Sequence, residues 1–114
     1  MSKTLRFALA ALLLPVALGG CNPNTQEQRD AAKAAADSYC DCAEALLKTP
    51  VDELGKMRGD QLCRAESDAY NAAWEALPAR ADGDDEAAAI SSYLYDCHKI
   101  LRDAHGIAWR AANR

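Results

Sequence analysis

The chain has 114 residues, 50% of them apolar, with 13 basic against 17 acidic side chains and five cysteines. That length is one domain's worth and no more, and a net charge of −4 gives no electrostatic reason to bind nucleic acid or an anionic lipid surface. With one Phe, two Trp and four Tyr, any core must be built largely from Leu, Ile and alanine.

At the N-terminus, Lys3 and Arg6 precede an apolar run from Phe7 to Leu18, closed by Leu18-Gly19-Gly20-Cys21. As a helix the run spans about 18 Å against roughly 30 Å of bilayer hydrocarbon. Pro15 also interrupts it, so a transient export signal is the better reading than a permanent span. Leu18 to Cys21 resembles the lipobox of bacterial lipoproteins, the site where precursors are acylated on the cysteine and cut just before it. The resemblance covers residues 1–21 only; the rest of the chain resembles no family on its residues. It implies that residues 1–20 are a cleaved signal peptide. Cys21 would then carry a diacylglyceryl group and usually a third chain, palmitate being typical. At about 0.8 kcal/mol per buried methylene, two or three chains hold where one does not. Asn22 after the cysteine, in place of Asp, implies the outer membrane and its periplasmic face. The covalent lipid is the only non-protein group expected; no cofactor is.

Residues 21–25 read as a short linker and residues 26–114 as the domain. Thr25 with Gln28 resembles a capping box, starting a first helix over about 26–48. On it Ala32, Ala36, Tyr39, Ala43 and Leu46 share one face. Thr49-Pro50 reads as an N-cap and first helical residue of a short helix over 50–57. Asp60 is placed to cap the next helix, ended by Pro78, with Leu62, Ala65, Ala69, Ala72, Ala73 and Ala76 on its apolar face. Cys63, Tyr70, Trp74 and Leu77 fall on the flank. After a loop, Asp84, Asp85 and Glu86 suit the positive end of a last helix. There Ile90, Leu94, Cys97, Leu101, Ala104 and Ala108 form a stripe that Tyr93, Ile100 and Ile107 widen. No segment alternates with period two. The expected fold is all-α, a small three-helix up-down-up bundle with two disulfides.

Cys40, Cys42, Cys63 and Cys97 remain after the anchor, an even number in a small exported domain. Residues two apart on a helix point about 200° from each other, so Cys40 and Cys42 cannot bond together. Comparable heights along the first and last helices favour Cys40–Cys97, leaving Cys42–Cys63; the swapped pairing stays open. The same sulfurs with His98 could instead hold a soft metal ion, though their spacing matches no zinc signature and an oxidising compartment favours disulfides. His98 and His105, two helical turns apart, read as surface residues. Asp82-Gly83-Asp84-Asp85-Glu86 lacks the oxygen spacing of a calcium loop.

No nucleophile–base pair, paired carboxylates or phosphate-binding glycine loop can be read, so the chain is not expected to be an enzyme. The reading is a membrane-anchored periplasmic lipoprotein with a binding or scaffolding role at the cell envelope, its partners the membrane, through the lipid, and a periplasmic protein or peptidoglycan. One alternative is a periplasmic inhibitor or immunity-type protein using an acidic or aromatic face; another is a metal-binding envelope protein using Cys and His. The C-terminal basic end, with Arg102, Trp109, Arg110 and Arg114, is the candidate docking surface.

Overall fold

A computed structural model describes residues 23–114; the expected leader, residues 1–20, and the Cys21 anchor lie outside the described residues. Thr25 opens α1 (Gln26–Leu47) with a reciprocal capping box. The Gln28 N–H donates to Thr25 Oγ1 at 3.0 Å and the Thr25 N–H to Gln28 Oε1 at 2.9 Å. Ala32, Ala36, Tyr39 and Ala43 are buried along the face that their spacing predicts.

Thr49 is not the cap of the next helix. It follows the Lys48 C-cap in the turn that closes α1, where its N–H donates to Leu46 O and its hydroxyl leans back on Ala45 O at 3.4 Å. Pro50 therefore takes the N-cap position of α2 (Val51–Lys56), without a side-chain cap. Asp60 does not cap either: it lies in a 3-10 turn, Gly59–Gln61, and pairs with Arg58 at 2.8 Å. The following helix, α3 (Arg64–Glu75), starts from Cys63 in a left-handed conformation, φ 51° and ψ 39°. A residue with a Cβ adopts it at a cost of about 1 kcal/mol, and here the bond to Cys42 holds it. Asp84 opens α4 (Asp85–Ala112) by accepting the Ala87 N–H at 3.0 Å.

The described residues are all-α, mostly helical, with no strand and two disulfides. α1 packs against both α3 and α4, while α2 lies on α4. One core cluster gathers Ala32, Ala36, Tyr70, Leu77, Ala87 and Ile90; a second gathers Tyr39, Ala43, Leu54, Leu62, Leu101 and Ala108. Leu94 packs against both. Cys40–Cys97 ties α1 to α4 with Cα atoms 5.4 Å apart, and Cys42–Cys63 ties α1 to the start of α3 at 5.9 Å.

The rotation of α3 corrects one expectation. Ala65, Ala69, Ala72 and Ala76 face outward, whereas Cys63, Tyr70 and Leu77 are buried and Trp74 half-buried. Burial free energy scales with area, at about 25 cal/mol per Å². Tyr70, Trp74 and Leu77 outweigh an alanine row, and the tie at Cys63 fixes the phase of the helix. The Tyr70 and Trp74 rings stack with centroids 5.8 Å apart.

Candidate binding surfaces

The end at which α1 and α4 begin is closed by one polar cluster. Asn24, expected in the linker, is only 5% exposed. Its amide accepts the Ala79 N–H at 2.8 Å, donates to Ala79 O, and donates to Asp84 Oδ2 at 2.8 Å. Arg29 Nε reaches the same carboxylate oxygen at 2.8 Å. The Ala87 N–H first, and then the Arg29 guanidinium, hold the Asp84 carboxyl at a pKa of about 2, below its ordinary 3.8. The starts of α1 and α4 and the loop after α3 thus meet three residues from Cys21.

The opposite end carries the sequence-predicted docking residues. α4 has 28 residues and extends about 42 Å from Asp84, against 22 residues in α1. Trp109 is 50% exposed, and Arg110 and Arg114 are exposed beside it. Arg102 is partly committed, donating from Nη1 to Gly59 O at 3.0 Å. His105 is not a surface residue: it is 8% exposed, and since a carbonyl only accepts, its Nε2–H donates to Met57 O at 2.8 Å. Together Arg102 and His105 pin the segment between α2 and the 3-10 turn. His98 is half-buried, with Nδ1 3.1 Å from the Tyr39 hydroxyl.

The cysteines and His98 do not converge. Among the described residues the one grouping of donor atoms is Cys42, Cys63 and Glu66, within 4.8 Å of one another, but its two sulfurs are bonded to each other. A metal would need that bond reduced first.

The α1–α4 seam is a surface that sequence reading missed. Tyr93, Ile100 and Ile107 do not widen the core; they are 42%, 56% and 62% exposed. Spaced by seven, they run about 21 Å along α4; Tyr93 and Ile100 line the seam, while Ile107 lies beyond it beside Arg102 and Arg110. Two hollows, of about 360 and 250 Å³, share Tyr93 as a lining residue along the seam. Leu47, Ala43 and the Cys40–Cys97 bond complete the apolar floor of the second. Asp37, Asp41 and Glu44 form the α1 wall, and Asp96 lies next to the row on α4, three residues beyond Tyr93. Lys33 pairs with Asp37 at 3.3 Å, whereas Asp41, Glu44 and Asp96 join no ion pair among the described residues. Partial burial, then Asp37 and Asp41, push the Tyr93 phenol above its ordinary pKa. The spacing of seven was the available signal; it was masked because these residues sit one position from the true core stripe.

No described helix is long and apolar enough to cross a membrane. Comparison with family models, with curated proteins and with solved structures finds no match for this chain.

Proposed function

We propose that the chain is a lipid-anchored envelope protein whose domain binds or scaffolds without catalysing. It would be held through Cys21 at the periplasmic face of the outer membrane, its three long helices running up, down and up with α2 laid on the last. The observation that carries this reading is the Asn24 cluster. A lipid at Cys21 would be followed by only Asn22 and Pro23 before the chain is buried and bonded to both Ala79 and Asp84. Such a domain stands on its anchor in one orientation, with Trp109, Arg110 and Arg114 directed away from the lipid. That arrangement suits presentation of a surface better than a long tether would.

Fractionation of cells making the wild type or Cys21→Ser tests it. The wild type should sediment with membranes and partition into detergent, and the variant should be released from them. Equal behaviour of the two would contradict the anchor. Sacculus pull-down of the wild type beside Arg110→Glu/Arg114→Glu tests the distal end as a wall contact, and equal retention removes that role. A second reading, the inhibitor or immunity-type protein, is supported by the acidic, apolar seam between α1 and α4.

A further inference from the structure

We propose that the seam between α1 and α4 is a docking groove for a cationic amphipathic helix of a periplasmic partner. This rests on reading the chain as a binding domain, and it adds the chemistry of what is bound. The shape is the first argument. Two helices packed side by side leave a trough that a third helix fills, and along this one Leu47, Tyr93 and Ile100 present exposed apolar side chains. Its α4 lining, from Glu86 to Ile100, matches about fourteen residues of helix. An apolar strip of this kind, rimmed by charge, is the usual form of a helix-receiving surface.

Charge then selects the occupant. Asp41 and Glu44 wall the groove on one side and Asp96 on the other, each without an ion-pair partner among the described residues. Lys33 and Lys99 are already engaged, with Asp37 at 3.3 Å and Asp103 at 2.9 Å. A helix with Leu or Ile on one face and Lys or Arg on its flanks meets both features at once. A second copy of this chain does not: across a two-fold axis near Ile100, Asp96 of each copy would meet the Lys99–Asp103 pair of the other, which has no free cation to offer it. An anionic membrane surface is likewise repelled.

The test uses the full chain carrying Cys21→Ser, which keeps acyl chains and detergent out of the measurement. The probe is a fluorescent, amidated 18-residue helix with Leu at the heptad core positions and Lys elsewhere. A second peptide has Glu in place of every Lys. Fluorescence anisotropy should show the Lys peptide binding, more weakly at high salt, and the Glu peptide not binding. Leu47→Ser/Ile100→Ser and Asp41→Lys/Glu44→Lys should each raise Kd at least tenfold. Asp52→Lys/Asp82→Lys, the same charge change elsewhere, should alter it less than threefold. All three pairs exchange exposed side chains, so an unchanged melting temperature shows that each variant is folded.

Equal binding of the Glu peptide, or an equal effect of the Asp52/Asp82 pair, would overturn the proposal. So would a chain dimer by sedimentation velocity that dissociates in Leu47→Ser/Ile100→Ser, because the occupant would then be a second copy. Binding in solution does not depend on lipid, so a failure here leaves the anchored-domain reading standing, and failed anchoring leaves this one standing.

Discussion

Asn24 does with one side chain what a longer linker would prevent: it joins the loop after α3 to the first turn of α4. Its amide satisfies both backbone groups of Ala79 as well as Asp84. Asn24→Ala leaves those buried groups unpaired and should cost about 1–3 kcal/mol, measured by urea unfolding. Asp84 supplies a pH signature at the same place. Its folded pKa lies near 2, below the ordinary 3.8, so the stabilisation is complete above the unfolded value and is lost as pH falls toward 2. The gap in melting temperature between wild type and Asp84→Asn should therefore be open at pH 5 and close progressively between about pH 4 and pH 2. A gap constant across that range would contradict the assignment. Gly55 makes a different kind of contact. Its φ is unexceptional, but a Cβ would strike the Ala108 carbonyl, which is backbone and cannot step aside. Alanine improves helix propensity by about 1 kcal/mol, while overpacking costs about 1–3. Gly55→Ala should thus destabilise on balance, by about 1 kcal/mol or more in chemical denaturation.

Among elements, legibility in the sequence followed the size of the side chains. α1 was readable because Tyr39 interrupts its alanines and fixes the face, and the capping box at Thr25 fixed its start. α3 was not, because an alanine row and an aromatic row compete on one helix, and counting apolar positions weighs them equally while buried area does not. The starts of α2 and α3 were misplaced for a related reason. Thr49 and Asp60 are competent caps, but the turn of α1 and the tie at Cys63 claim the backbone first. On α4 the main stripe was legible and the exposed row beside it was not, since spacing alone does not say which rows find a partner.

The disulfides act at this scale too. Cysteine parity and the angle between Cys40 and Cys42 predict that each bonds a different helix, and the sequence separations are 57 for Cys40–Cys97 and 21 for Cys42–Cys63. In the chain-entropy account these loops contribute about 4 and about 3 kcal/mol respectively. Cys40→Ala/Cys97→Ala should accordingly lower the unfolding free energy more than Cys42→Ala/Cys63→Ala, by about 1 kcal/mol. The reverse order would mean that holding Cys63 in its left-handed conformation outweighs loop length.

At the scale of the whole molecule, the described residues have two unlike ends and an exposed seam between them. A polar cluster closes the end beside Cys21, a basic, aromatic tip extends beyond α1 at the other, and an acidic apolar seam runs between them on α1 and α4. Such a layout gives a partner a defined approach only if the end at Asn24 is fixed to a surface. The intact mass of the protein recovered from the envelope tests this most directly. A polypeptide beginning at Cys21 with added fatty mass, absent from Cys21→Ser, is the expected result. A product retaining Met1, or one trimmed but carrying no lipid, would contradict it.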